Sequence, residues 1–269
     1  MFRLTREVRF AVNLGASAPA ESLPTNSYAG FPSLTGLGHF FALRATLAGD
    51  LDPSSNYLLN IKQVDAMVRE RAIPHVAAAV RSGRFGGGAG VAGELFILLR
   101  AAWPGVVLDK LGLSLSPFLS LSVHASEFPM PGDVRLNQKF EFSASHRLHN
   151  PALSDERNRA IFGKCNNPHG HGHNYELQVT LAGRPDASGL LIDVPAFERV
   201  VARAVIDRFD HKNLNTELPE FAEVIPSVEN IARVIYRLLK PALESDRTRL
   251  AAVTVWETPK TWCEYQEDD

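Results

Sequence analysis

Three stretches in the second half of the chain alternate apolar and polar residues with a period of two. This pattern is typical of β-strands with one buried face. A further strand is expected in a short apolar run between them. The four predicted strands are KFEFSAS (139–145), YELQVTLAG (175–183), GLLIDV (189–194) and AAVTVWE (251–257).

Two other stretches carry apolar residues at helical spacing. They are PAFERVVARAVIDRF (195–209) and SVENIARVIYRLL (227–239). Ser227 is a suitable N-cap for the second helix, because its hydroxyl can accept a hydrogen bond from the first turn. Strands separated by helices in this order predict an α+β domain, with an antiparallel sheet and its helices on one face.

One segment occurs twice. GLGHFFALRATLAG (36–49) and GHGHNYELQVTLAG (170–183) are identical at eight of fourteen positions. A repeat of about 130 residues indicates two complete domains rather than a solenoid. We therefore predict tandem domains at residues 1–130 and 131–269, joined within SEFPMPGDVR (126–135), whose prolines and glycine interrupt the periodicity.

Composition narrows the range of functions. A net charge of −2 argues against a nucleic-acid or anionic membrane partner. No stretch approaches the length of a membrane span, and the charged N-terminus does not read as a signal peptide. Cys165 and Cys263 are the two cysteines, so no disulfide framework is indicated. We expect a cytoplasmic protein.

Three histidines lie on the core-facing side of their predicted strands, an arrangement that indicates a metal site. His171 and His173 are two apart on a predicted strand and therefore point the same way. His146 ends an earlier strand, on the same face as Phe142 and Ala144. Three imidazoles with one open position form the usual catalytic zinc site, although exposed or hydrogen-bonded histidine is the common role of an isolated H-x-H.

Other residues suit proton transfer. Cys165 lies beside Lys164 and six residues before His171, so near a bound dication it is suited to act as base or nucleophile, although an unremarkable free thiol is the alternative. Asp210 adjoins His211 after a predicted helix, and an acid beside a histidine can orient the imidazole. Such pairs are also common by chance.

Two carboxylates are candidates for substrate binding. Glu257 shares the parity of Val253 and Val255, which points its carboxylate to the apolar side, where it requires a partner or a ligand. A buried carboxylate can accept paired N–H donors from the edge of a guanidine-like heterocycle. Glu229, in the first turn of a predicted helix, can do the same or simply complement the helix dipole.

The second half resembles 6-pyruvoyl-tetrahydropterin synthase. The resemblance runs from Asn137 to about Tyr265 and rests on these motifs: FSASHRL, NPALSDERNRAIFGKCNNPHGHGHNYELQVTLAG, FDHKNLN, SVEN and VWET. It implies tunnelling-fold domains, each a four-stranded antiparallel sheet with two helices on one face, assembled as trimeric barrels stacked into hexamers.

The resemblance also implies an activity and residue roles. The family converts 7,8-dihydroneopterin triphosphate to 6-pyruvoyl-tetrahydropterin and eliminates triphosphate. By resemblance, Zn²⁺ is held by His146, His171 and His173, and Cys165 is the base with Asp210 and His211 as the proton relay. Glu257 anchors the pterin, helped by Glu229.

Two alternatives stay open. The homologous 6-carboxy-tetrahydropterin synthase of queuosine biosynthesis takes the same substrate and zinc site but releases acetaldehyde as well as triphosphate. The spacing in CNNPHGHGHNY follows the biopterin type. A non-catalytic scaffold that binds zinc and pterin is the second alternative.

The first half lacks most of the candidate site. His171 corresponds to Leu37 and His146 falls near Leu14, so that His39, opposite His173, is the surviving histidine. A lone histidine cannot make a tight zinc site. We therefore expect a catalytically inactive first domain that fills barrel positions, with three chains supplying six units of a homo-oligomer.

Overall fold

The protein is described by a computed structural model that covers residues 1–15, 28–127 and 133–267. The chain divides into two compact units. The N-terminal unit comprises Met1–Asn137 with Ala182–Leu191, and the C-terminal unit comprises Gln138–Leu181 with Ile192–Asp269. The boundary predicted between residues 130 and 131 lies outside the described residues, so the tandem-domain arrangement stays a prediction.

The N-terminal unit contains a four-stranded antiparallel sheet in the order β1-β2-β3-β4. β1 and β2 pair along their whole length, from Phe2 opposite Gly49 to Asn13 opposite Gly38. Phe10, Leu43, Leu47 and Leu111 are fully or almost fully buried on this sheet. The strands are β1 (Phe2–Asn13), β2 (Gly38–Gly49), β3 (Val107–Ser114) and β4 (Leu119–His124).

Two helical stretches lie between β2 and β3 along the chain. The first consists of α1 (Ile61–Met67) and α2 (Ile73–Arg81), joined by a π-helical turn at Val68–Ala72. The second is α3 (Gly88–Arg100), which packs on β3 and β4. Asn60 caps α1, because its side chain accepts a hydrogen bond from the Lys62 backbone N–H.

The C-terminal unit repeats this order of main strands and long helices, and it adds a helix between its first two strands. Its main strands are neighbours in the order β5-β6-β8-β9, and the short β7 pairs in parallel with β5. β8 and β9 form an antiparallel hairpin. The strands are β5 (Val134–His146), β6 (His171–Gly183), β7 (Lys212–Asn213), β8 (Thr248–Thr258) and β9 (Thr261–Tyr265).

Helices of the C-terminal unit follow the predicted pattern closely. α4 (Asp155–Phe162) and the short α7 (Leu214–Glu217) flank the loops, while α5 (Val194–Val201) continues through a π-helical turn at Ala202–Ile206 into α6 (Asp207–Phe209). α8 (Val228–Leu243) packs on β8 and β9. Ser227 caps α8 by accepting from the Asn230 backbone N–H, so both long predicted helices and this cap are confirmed.

The strand predicted through GLLIDV is wrong. These residues form a turn and the start of α5. Asp193 accepts a hydrogen bond from the Ala196 backbone N–H and caps the helix, and Pro195 stands in its first turn, so local helix-start signals outweigh the apolar run. The fourth main strand of this unit is instead β9, which follows β8 after a tight turn.

The α+β class is confirmed, and so is the predicted phase of the strands. Phe142, Ala144 and His146 are buried on β5, and Tyr175 and Leu177 are buried on β6. The histidines at the ends of β5 and β6 follow the same alternation, so they lie on the core-facing side at the edge of the core. Within the described residues, no helix has the length and apolarity needed to cross a membrane.

Candidate metal centre and active site

Strand ends bring four potential metal ligands together in the C-terminal unit. His146 is the last residue of β5, His171 and His173 open the neighbouring β6, and Glu257 lies near the end of β8 on the other side of β6. One ligand atom from each of these four side chains lies within 4.8 Å of all the others. The parity argument for the three histidines thus agrees with the structure.

A glycine makes the close approach of β5 and β6 feasible at this point. Gly170 immediately precedes His171 and has a φ of +70°. A Cβ atom at this position would lie 2.9 Å from the carbonyl oxygen of His146. Since such a contact and such a φ both disfavour other residues, Gly170 allows His171 to approach His146.

His146 is fully buried, and its ring orientation is fixed by the backbone. Its Nδ1 lies 2.7 Å from the carbonyl oxygen of Pro226, which can only accept a hydrogen bond, so Nδ1 carries the proton. In the neutral ring, the lone pair is then on Nε2, which lies 3.1 Å from His171 Nε2 and 3.1 Å from Glu257 Oε1. An outer hydrogen bond of this kind is the usual support of a metal-binding histidine.

The other two histidines carry buried nitrogen atoms that lack hydrogen bonds. These are His171 Nδ1 and His173 Nε2. His173 Nε2 is 3.3 Å from Glu257 Oε1, close enough for an ion pair but not in hydrogen-bonding geometry. A buried polar atom without a partner costs about 1–3 kcal/mol. A cation among these groups would satisfy His173 Nε2, so the donor set fits a metal ion.

Electrostatics favour the metal-accepting protonation states of His171, His173 and Glu257. Burial lowers the pKa of His171, and the neighbouring His146 and His173 lower it further. Burial also lowers the pKa of His173, partly opposed by Glu257. The imidazole of His146 is the first cause that lowers the pKa of Glu257, and burial opposes it. Neutral imidazoles beside an ionised carboxylate are the protonation states that divalent cations require.

The structure places the carboxylate of Glu257 within the histidine cluster. The role of Glu257 as a pterin anchor stays a prediction. Glu229 lies outside this cluster, exposed in the first turn of α8. The pKa of Cys263 is raised by burial first and then by the charges of Glu229 and Glu264, which puts Glu229 near β9.

The Asp210–His211 pair is held against β5 by a set of short hydrogen bonds. His211 Nδ1 lies 2.8 Å from Asp210 Oδ2, and the Ser143 backbone N–H donates to Asp210 Oδ1 at 2.8 Å. The His211 backbone N–H in turn donates to the Ser143 carbonyl at 2.6 Å. The Ser143 N–H is the largest cause that lowers the pKa of Asp210, so the carboxylate stays ionised beside the imidazole.

His211 also has an unusual backbone conformation and an exposed ring. Its φ is +58°, in the left-handed region, where a residue other than glycine is strained. The side chain is 83% exposed. A cavity of about 520 Å³ is lined by His211 and by His173, together with Ser143, Ser145 and Asn174. The cavity therefore connects the Asp–His pair to one histidine of the cluster.

Cys165 lies outside the four-residue cluster but close to it. It sits in the 3₁₀ turn Gly163–Asn166 after α4, is half-buried, and its carbonyl accepts a hydrogen bond from Leu148 N–H at 2.9 Å. Burial, Glu257 and Cys165 together raise the pKa of Tyr175, whose hydroxyl is 3.4 Å from His146 Nδ1. The thiol is thus within electrostatic reach of the group that packs behind His146.

Sequence reasoning missed the asparagines that shape the loop between β5 and β6. Asn158 is fully buried, its Nδ2 faces the carbonyls of Asn150, Leu153 and Ser154, and its Oδ1 accepts from Asn150 N–H. Asn166 Oδ1 accepts from Arg147 Nε at 3.2 Å and lies 3.0 Å from His149 Nδ1. No periodic signal marks such residues, because they satisfy local backbone groups rather than a core face.

The N-terminal unit does not repeat this site among the described residues. His39 is exposed on β2, opposite Val12. Leu37 and Leu14, the counterparts predicted for His171 and His146, are 92% and 60% exposed. In the ranges that the structure covers, the His146, His171, His173 and Glu257 group is the one cluster found that could hold a metal ion.

Comparison with known proteins agrees with the motifs. The family model described as 6-pyruvoyl tetrahydropterin synthase matches residues 135–268. The human 6-pyruvoyl tetrahydrobiopterin synthase is 42% identical over 111 residues, which cover 41% of this chain and 77% of the human protein. The chain belongs to the 6-pyruvoyl tetrahydropterin synthase family.

Two further similarities each cover about half of this chain. The solved structure of the Caenorhabditis elegans 6-pyruvoyl tetrahydropterin synthase is 36% identical, with a TM-score of 0.48, and covers 51% of this chain and 96% of the worm protein. A 6-carboxy-5,6,7,8-tetrahydropterin synthase from Haemophilus influenzae is 28% identical over 154 residues, covering 49% of this chain and 99% of that protein. The identity to the human and worm pyruvoyl synthases is thus higher than the identity to this carboxy-product relative.

Proposed function

We propose that this member of the 6-pyruvoyl tetrahydropterin synthase family is a zinc-dependent lyase. It converts 7,8-dihydroneopterin triphosphate to 6-pyruvoyl-tetrahydropterin with elimination of triphosphate. The observation that carries the proposal is the convergence of His146, His171 and His173 within the family-matched region. The 42% identity to a named 6-pyruvoyl tetrahydrobiopterin synthase supports the choice of product.

Zn²⁺ is the proposed metal ion, held by His146, His171 and His173. Imidazole nitrogens and a nearby carboxylate are a ligand set that suits zinc. When bound, zinc supplies Lewis acidity that lowers the pKa of the substrate's side-chain hydroxyls. The hydrogen bond from His146 Nδ1 to the Pro226 carbonyl holds the ring so that Nε2 faces the cluster.

Proton movement is assigned to Cys165, Asp210 and His211. Cys165 is proposed as the base that removes a proton from the substrate side chain. Asp210 Oδ2 accepts a hydrogen bond from His211 Nδ1–H, which leaves Nε2 of the imidazole as the proton acceptor. The cavity that His211 and His173 both line gives this nitrogen access to a molecule beside the cluster.

Glu257 is proposed to anchor the pterin, with Glu229 in support. An ionised carboxylate can accept two parallel N–H donors from the amino-pyrimidine edge. The pKa of Glu257 is lowered, which keeps it in this state. Because its Oε1 lies near His146 and His173, a pterin bound there has its side chain beside the histidine cluster. This placement orients the hydroxyls for deprotonation.

One reaction tests the proposal. Zinc-loaded protein is incubated with 7,8-dihydroneopterin triphosphate, and the products are identified by mass spectrometry. We expect 6-pyruvoyl-tetrahydropterin and triphosphate in equal amounts. A 6-carboxy product with acetaldehyde would assign the reaction named for the Haemophilus influenzae relative. Zinc binding without triphosphate release would assign a scaffold.

The N-terminal domain is proposed to be a degenerate copy with a structural role. In both units two main strands are followed by long helices and then by two more main strands, and each unit has a π-helical turn in its first long helical stretch. This common order supports an internal duplication. Three chains would then supply six units to a cytoplasmic homo-oligomer. Size-exclusion chromatography with light scattering should give a mass near three chains, and a stable monomer would contradict this arrangement.

A further inference from the structure

A second cavity in the C-terminal unit adjoins the strand ends that carry the histidine cluster, since Gly170 lines it and lies against the His146 backbone. Its volume is about 660 Å³, within the range of small-molecule sites. Arg147, His149 and His169 line it, and Arg147 directly follows His146 while His169 stands two residues before His171. Glu223, which is exposed, is the acidic residue in this lining.

Arg147 is held rigidly but is not neutralised. Asn215 binds both of its backbone groups, accepting from Arg147 N–H at 2.7 Å and donating to its carbonyl at 2.9 Å. Nε donates to the Asn166 carbonyl and side-chain oxygens at 3.3 and 3.2 Å. Among the described residues no acidic side chain forms an ion pair with this guanidinium. Its remaining N–H donors are therefore available to a ligand.

A positioned guanidinium without a carboxylate partner is suited to an anion. Arginine presents its donors in a planar fork that matches phosphate oxygens. His149 contacts the same Asn166 Oδ1 as Arg147 and also lines the cavity, so its imidazole lies beside the guanidinium. The proposed substrate carries a triphosphate at the end of the side chain that would bind at the histidine cluster. From these observations we propose that the Arg147 cavity binds the triphosphate group.

This inference rests on the proposed function for the identity of the anion, but a binding measurement tests it without turnover. Inorganic triphosphate is titrated calorimetrically into zinc-loaded wild-type protein and into Arg147→Gln. The matched control is Arg157→Gln, which removes an exposed arginine of α4 outside the cavity lining. The zinc content of each sample is measured afterwards, to separate binding to the protein from removal of the metal.

We expect wild-type and Arg157→Gln to bind triphosphate equally and Arg147→Gln to bind it about 10- to 100-fold more weakly, the usual effect of losing hydrogen bonds to a charged group. Equal binding by all three proteins, or no binding by any, would overturn the inference. A crystal of wild-type protein soaked in triphosphate is decisive even if Arg147→Gln does not fold, because an anion bound elsewhere contradicts the assignment. If triphosphate binds at Arg147 but the protein does not convert the pterin substrate, the proposed function is contradicted and the anion site is still supported.

Discussion

Replacement of His173 by alanine, compared with the same change at His39, tests whether the chain holds one metal site or two. The two histidines occupy the same position in the repeated segment. His173 lies in the four-residue cluster with a side chain that is 20% exposed, whereas His39 is exposed on β2. Because neither side chain is fully buried, both substitutions should leave the fold intact, which thermal unfolding of the metal-free proteins can confirm.

The expected loss of zinc affinity in His173→Ala follows from the number of ligands. Protein zinc sites bind with about 10–16 kcal/mol, so each of three histidine ligands contributes about 3–5 kcal/mol. At about 1.4 kcal/mol per tenfold, the loss of His173 should raise the dissociation constant for zinc about 10²- to 10⁴-fold. Competition with a chromogenic chelator measures it. Wild-type and His39→Ala should bind one zinc per chain with equal affinity. If His173→Ala stays within tenfold of wild-type, or if His39→Ala loses a second zinc, the single-site reasoning is refuted.

Three further predictions concern the surroundings of the site. Burial lowers the pKa of His171 and His173 below the usual value of 6.5. The folded state is therefore fully stable above pH 6.5, and stability is lost as the pH falls from 6.5 through the lowered pKa values. The urea midpoint of the metal-free protein should therefore be level from pH 8 to 6.5 and fall below pH 6.5. His124, whose pKa is lowered to about 4, contributes to the same fall. His171→Ala should make the fall smaller, and a larger fall would contradict the assignment. Asn158→Ala should lower the free energy of unfolding by about 2–4 kcal/mol, because buried backbone groups lose their partner, and a change below 1 kcal/mol in urea unfolding would be inconsistent with the loop contacts. Asp210→Asn should reduce turnover about 10²- to 10⁴-fold with zinc content unchanged, and wild-type turnover would remove the pair from the mechanism.

The strands and the three histidines could be predicted because both follow from a period of two. Burial of Phe142 and Ala144 fixes the face on which His146 must lie, and Tyr175 does the same for His173. The long helices were equally accessible, because amphipathic spacing and the Ser227 cap agree. In GLLIDV two local signals compete. The apolar run predicts a strand, but the cap at Asp193 starts helix α5 instead.

Contacts between residues far apart in the sequence were not predictable. Nothing in the pattern around Pro226 indicates that its carbonyl orients His146, 80 positions away. The entry of the Glu257 carboxylate into the histidine cluster depends on β6 having β5 on one side and β8 on the other. Asn215, which fixes the backbone of Arg147, likewise acts across 68 positions. These interactions depend on strand order, which periodicity does not encode.

The most direct test of the account compares triphosphate release by zinc-loaded wild-type protein and Cys165→Ala, with Cys263→Ala as the matched control. Cys165 is not a member of the metal cluster, so all three proteins should hold the same zinc. We predict release by wild-type and Cys263→Ala at equal rates, and a rate lower by about 10²- to 10⁴-fold in Cys165→Ala, the usual contribution of a positioned base. Unchanged release by Cys165→Ala, or no release by zinc-loaded wild-type protein, would contradict the central claim.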